Sequence, residues 1–66
     1  MKNTIKVERA KLSISQTELA EQVGVSKQTI HSVETGRFVP STILSMKIAR
    51  FFKTTVEQVF ELEPGD

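Results

Sequence analysis

Sixty-six residues with no cysteine, a single histidine and a net charge of +1 exclude disulfide staples, thiolate metal sites and any metal centre resting on His31 alone. A chain this short buries only about 60% of the surface its unfolded form exposes, so helix packing and a partner chain remain as sources of stability. No apolar run approaches the ~20 residues of a membrane span, and no signal-peptide pattern opens the chain, so a cytoplasmic protein is expected.

Charge is unevenly placed. Residues 1–50 carry eight basic side chains against four acidic ones, whereas residues 51–66 carry Lys53 against Glu57, Glu61, Glu63 and Asp66. A basic body with an acidic tail is compatible with a polyanion held by the body.

The first helix is expected over about residues 4–11, capped by Asn3 or Thr4, with Ile5 and Leu12 marking an inward stripe beside Val7 or Ala10. Leu12-Ser13-Ile14 then turns the chain. Ser15-Gln16-Thr17-Glu18 matches a capping box, in which the serine hydroxyl and the third-position glutamate satisfy each other's backbone donors. Leu19, Ala20 and Val23 form the apolar stripe of this second helix. Gly24 stands at its C′ position, where a left-handed conformation costs glycine nothing. Val25 plugs the turn, Ser26 caps a third helix with Ile30 and Val33 inward, and Gly36 ends it.

Arg37 to Pro40 read as a loop, and Pro40-Ser41-Thr42 starts a fourth helix with Leu44, Ile48, Ala49 and Phe52 on its core face. Thr54-Thr55-Val56-Glu57 is a second capping-box match, opening a short fifth helix with Val56, Val59 and Phe60. Phe60-Glu61-Leu62-Glu63 alternates apolar and acidic residues, a pattern that a short extended segment or a frayed end satisfies equally. The expectation is one all-α domain over residues 1–66, built from five short helices with no convincing sheet.

On a wheel of about 100° per residue, Val33 and Glu34 flank Ile30 on the inner face of the third helix. Gln28 and Ser32 lie nearly opposite, Thr29 to one side, His31 and Thr35 to the other. Lys27 occupies the first turn. In a major groove, Gln bonds adenine N6 and N7, Lys donates to guanine O6 or N7, and Thr touches a thymine methyl, each good pair giving about 1–3 kcal/mol of discrimination. The plainer reading of such a face is a solvated helix surface.

SQTELAEQVGVSKQTIHSVETGR resembles the helix-turn-helix of the lambda-repressor-like, Cro/CI-type (XRE) family of DNA-binding regulators. The likeness continues through PSTILSMKIARFFKTTVEQVF, so it runs from Ile5 to Phe60. It is carried by Gln16, Leu19-Ala20, Gly24-Val25-Ser26, Gln28, Ile30, Glu34, Gly36, Pro40-Ser41 and Ile48-Ala49. The resemblance implies a compact five-helix lambda-repressor-like domain, with the helix-turn-helix over about residues 15–36 and a recognition helix, about residues 27–35, in the major groove of double-stranded DNA. Lys27, Gln28, Thr29 and Ser32 are then expected on bases, with His31 flanking them or in solvent.

Phosphate contacts are expected from Gln16 and Thr17, where free N–H groups and the positive end of the helix dipole suit an anion. Ser26, Thr35, Gly36, Arg37 and, more weakly, Lys11 and Lys6 join them. The resemblance also has Gln16 bracing Lys27, and has Arg9 pairing with Glu34, whose position in the last turn of its helix is disfavoured by up to about 1 kcal/mol. Two residues depart from the family: Thr42 and Glu8 stand where relatives often carry apolar side chains.

Short members of this family resemble dimeric transcriptional regulators, often repressors acting by occupancy, and two copies about 34–36 Å apart read a palindrome. Ile43, Met46 and Phe51 lie off the main stripe of the fourth helix. With Val59, Phe60 and Leu62 they are read as a homodimer seam within about residues 43–63, against the alternative of ordinary exposed apolar residues. The competing function is an antitoxin-like protein-interaction module with autoregulatory DNA binding. It ordinarily carries a toxin-binding extension, and little chain follows Phe60. No enzyme is expected, since there is no acid/base pair, nucleophile constellation or Gly-rich phosphate loop, and neither a cofactor, a metal nor a small-molecule effector is evident.

Overall fold

The computed structural model describes residues 1–66 and orders them as strand Lys2–Asn3 (β1), helices Ile5–Leu12 (α1), Gln16–Val23 (α2), Lys27–Glu34 (α3), Thr42–Phe51 (α4) and Val56–Val59 (α5), and strand Phe60–Glu61 (β2). Serine caps set three of these starts. Ser15 Oγ accepts from Glu18 N at 3.0 Å while Ser15 N donates to Glu18 Oε1 at 3.2 Å, which closes the capping box. Ser26 Oγ accepts from Thr29 N and Ser41 Oγ from Leu44 N, each at 3.1 Å. Gly24, at φ 76°, turns α2 into α3 and donates its N–H to Ala20 O.

One apolar cluster gathers Ile5, Leu19, Ala20, Val23, Ile30, Val33, Leu44, Ile48, Ala49, Val59 and Phe60. Phe51 and Phe52 pack against its edge, their rings meeting edge to face with centroids 5.3 Å apart. The helical stripes of α2, α3 and α4 therefore fall where their periodicity places them.

Several expectations are corrected. On α1 only Ile5 is buried, while Val7 and Leu12 stay more than half exposed. The turn after Ile5 on that face is filled by Arg9, which goes to Glu34 instead of to apolar neighbours. The cap of α5 is Thr55, one residue later than the capping-box match, with Gln58 N donating to its hydroxyl. Thr54 is drawn into the end of α4, its N–H donating to Ala49 O across a left-handed Lys53. Thr42 is exposed, so its departure from the family costs the core nothing, and Glu8 is used by Lys11 at 3.1 Å.

The alternation at Phe60 resolves as an extended segment. Residues 60–61 pair antiparallel with 2–3, in the register Lys2 with Glu61 and Asn3 with Phe60. Thr4 N extends the ladder by donating to Val59 O at 2.9 Å. This pairing takes Val59 and Phe60 into the core, at 1% and 7% exposure. Both are thereby withdrawn from the expected dimer seam, because their surface is already covered by their own chain.

Candidate nucleic-acid interface

Ile30 and Val33, both essentially inaccessible, fix the roll of α3 and turn Lys27, Gln28 and His31 outward, with Thr29 and Ser32 half-buried at the edges. Gln28 borders two shallow depressions. Lys27 and His31 share the first, of about 300 Å³. Thr29, Ser32 and Phe38 share the second, of about 170 Å³. Gln28 thus joins the four residues expected on bases into one face, exposed at Lys27 and Gln28 and half-buried at Thr29 and Ser32.

Donors surround this face. The N–H groups of Gln16 and Thr17 at the start of α2 find no acceptor within the protein, nor do those of Lys27 and Gln28 at the start of α3. Helix dipoles add positive potential at both places. Ser26 and Thr29 share a bond between their hydroxyls at 3.0 Å, and Ser26 Oγ also accepts the Thr29 N–H. Of the two hydroxyl protons one is used inside the pair, which leaves the other free to donate outward. Lys27 and Arg37 form no ion pair within the protein.

Three expected phosphate donors are differently engaged. Thr35 Oγ1 donates into its own helix, to His31 O at 3.0 Å and Ser32 O at 3.3 Å. The N–H of Gly36 is taken by Val33 O and that of Arg37 by Ser32 O. At that corner the free donor is therefore the Arg37 guanidinium. Lys11 is spoken for by Glu8 one turn away, an exposed pair worth little. Gln16 does not brace Lys27 either: its Nε2 lies 3.3 Å from His31 Nδ1, tying the start of α2 to the middle of α3.

Behind the face lies a polar frame. Arg9 grips Glu34 with two bonds, Nε to Oε2 at 2.8 Å and Nη2 to Oε1 at 3.0 Å, and Nη1 also donates to Ile14 O at 3.1 Å. The pair is largely enclosed, with side-chain exposures of 15% for Arg9 and 7% for Glu34. The Glu34 carboxylate raises the Arg9 pKa further, so the guanidinium stays charged at every relevant pH. Asn3 is the frame residue that sequence reasoning missed. Its Nδ2 donates to Val33 O at 3.0 Å and its Oδ1 accepts from Ile5 N at 3.2 Å. An asparagine just before a helix signals the second bond as a local cap, but nothing local signals the first.

Residues 5–59 match the helix-turn-helix family model. The chain is 46% identical over 63 residues to YgzD of Bacillus subtilis, an uncharacterized HTH-type transcriptional regulator, covering 96% of each. It is 44% identical over 66 residues to an HTH-type transcriptional regulator of Methanocaldococcus jannaschii, covering the whole of both chains. A third relative, an HTH-type transcriptional regulator of Archaeoglobus fulgidus, is 45% identical over 60 residues, 91% of this chain and 84% of its own. With its two capped helices joined at Gly24 and its match running from the start of α1 to the end of α5, the chain belongs to the lambda-repressor-like, Cro/CI-type (XRE) helix-turn-helix family of transcriptional regulators.

Proposed function

We propose that this protein is a cytoplasmic, homodimeric transcriptional regulator that binds a palindromic DNA operator and represses by occupying it. The observation that carries this reading is the face of Lys27, Gln28, Thr29 and Ser32, with unpaired backbone N–H groups at the starts of α2 and α3 and a free Arg37 guanidinium beyond the end of α3. Phosphate donors at two separated places set the register of α3 in the major groove, and the face between them reads bases. The protein acts by binding and carries out no chemistry of its own.

The size of the protomer supports doubling. The protomer measures 31 × 22 × 20 Å, while successive major-groove faces on one side of a duplex lie about 34–36 Å apart. Ile43 and Met46 on the outer face of α4 and Leu62 beyond β2 are 68%, 58% and 76% exposed. Lys47 and Arg50 flank the first two without an acidic partner, and Leu62 lies between Glu61, which forms no ion pair, and Glu63, which holds the Met1 ammonium. Two copies related by a two-fold axis would lay basic-apolar against acidic-apolar surface, with the half-buried Phe51 at the edge.

Selection of bound sequences from a random duplex pool tests the function. An enriched palindrome is expected, with Lys27→Ala and Gln28→Ala each relaxing preference at particular positions. No enrichment, together with unchanged binding by both variants, would sink the proposal.

A further inference from the structure

Three of the four phenylalanines belong to the core or its edge, and Phe38 does not. It is 49% exposed, in the loop after α3. That loop is bent back onto the helix, since the N–H groups of Arg37 and Phe38 both donate to Ser32 O, at 3.0 and 3.2 Å. Gly36, at φ 79°, permits the reversal, and the buried Pro40 returns the chain to the body. A half-exposed aromatic ring is thereby held beside Gln28, Thr29 and Ser32, where the four together line the depression of about 170 Å³.

This depression is below the roughly 300–1,000 Å³ of small-molecule pockets and is wide open to the surface that faces DNA. Its chemistry differs from that of its neighbour across Gln28. One side of Gln28 offers Lys27 and His31, the other a phenyl ring and small hydroxyl-bearing side chains. In the major groove the one apolar group on a base edge is the thymine 5-methyl, which follows adenine N6 and N7 across an A·T pair.

We infer that Phe38, a residue outside the recognition helix, forms with Ser32 and Thr29 a seat for a thymine methyl, so that Gln28 reads an adenine while Phe38 reads the methyl of that pair or of the next one. This rests on the DNA reading proposed above. Phe38 acts as a specificity residue, and the thymine methyl is its ligand.

The test uses the duplex enriched by selection, with each thymine of a half-site replaced in turn by deoxyuridine, which removes the methyl and leaves pairing intact. In the parent protein one position per half-site is expected to weaken binding about fourfold when demethylated, and about 15-fold when both half-sites are changed, the factors that correspond to about 0.8 kcal/mol per buried carbon. Phe38→Ala binds the methylated duplex more weakly by a similar factor and no longer distinguishes thymine from uracil at that position. Phe38→Leu keeps part of the distinction, and circular dichroism of both variants excludes loss of fold as the cause.

Equal binding of thymine and uracil duplexes by the parent overturns the inference while leaving sequence-specific binding standing. So does a half-site without thymine, or a Phe38→Ala variant that retains full methyl sensitivity or weakens all duplexes alike. Absence of any enriched duplex overturns the DNA reading itself, and this inference with it.

Discussion

Replacing Arg9 with methionine removes a cation and leaves Glu34 enclosed, with its side chain 7% exposed, at the carboxyl end of α3. Stranding one member of a buried pair costs about 3–5 kcal/mol. Because Arg9 retains some exposure, about 3–4 kcal/mol is the expected loss. A 66-residue chain has roughly 3–10 kcal/mol of total stability, at 0.05–0.15 kcal/mol per residue. Arg9→Met is therefore expected to lower the melting temperature by roughly 12–32 °C, taking about 4–8 °C per kcal/mol, or to leave the chain substantially unfolded. Urea titration followed by far-UV circular dichroism measures the effect at neutral pH. The control is Arg9→Met combined with Glu34→Met, in which neither charge is buried alone and most of the stability returns. A loss below about 1 kcal/mol for Arg9→Met, or a double variant as unstable as the two single losses added together, would refute the reasoning.

Four further outcomes are expected. Ser13→Gly and Lys53→Gly each relieve a left-handed conformation in a non-glycine residue (φ 55° and 58°), raising stability by up to about 1 kcal/mol in the same titration; a decrease would mean that the lost side chains contribute more than the strain costs. Arg37→Ala should weaken binding to all sequences alike and flatten the salt dependence by about one unit of slope, and a changed base preference would instead assign Arg37 to the bases. Met46→Glu places a carboxylate on the expected seam and should convert a sedimenting dimer to monomer at micromolar concentration without altering helix content; an unchanged dimer places the seam elsewhere. The Met1 ammonium lies 3.0 Å from Glu63 and 3.2 Å from Asp66. Hydrogen bonds to Glu63, then Asp66, raise its pKa, and the Glu63 N–H, then the ammonium, lower that of Asp66. The ammonium's contribution is complete below its ordinary value near 8.0 and lost as pH rises through the raised one. That of Asp66 is complete above its ordinary 3.8 and lost as pH falls through the lowered one. The NMR shift of the Glu63 amide, whose N–H donates to Asp66, should therefore hold steady across neutral pH, and a drift there would contradict the assignment.

What was legible in the sequence was local. Ser15, Glu18, Gly24, Ser26 and Ser41 act within one turn of themselves, and each does in three dimensions what its neighbours in the chain indicate. The stripes of α2, α3 and α4 were equally readable, because an apolar face at helical spacing has one way to be buried. Misreadings arose where a local signal met a distant partner. Thr54 has the spacing of a cap, but the end of α4 claims its N–H. Val59 and Phe60 have the look of spare apolar surface, yet both lie in the core, next to a ladder formed with the opposite end of the chain. Thr35 and Gly36 carry donors suited to a phosphate, and those donors are turned into the closing turn of α3. The Arg9–Glu34 pair lay beyond local reasoning as well, and family resemblance supplied the partner.

The pairing of residues 2–3 with 60–61 has a consequence for how the protein is made. On the ribosome the helix-turn-helix is synthesised well before Val59 and Phe60, which belong to the same apolar cluster as Ile30 and Val33. Asn3 holds the carboxyl end of α3, yet Asn3 is itself held in a ladder that exists only once Phe60 arrives. A nascent chain that stops short of Phe60 thus contains every residue of the proposed reading face without the ladder that holds Asn3 and without two members of the core. Such fragments are open to proteolysis.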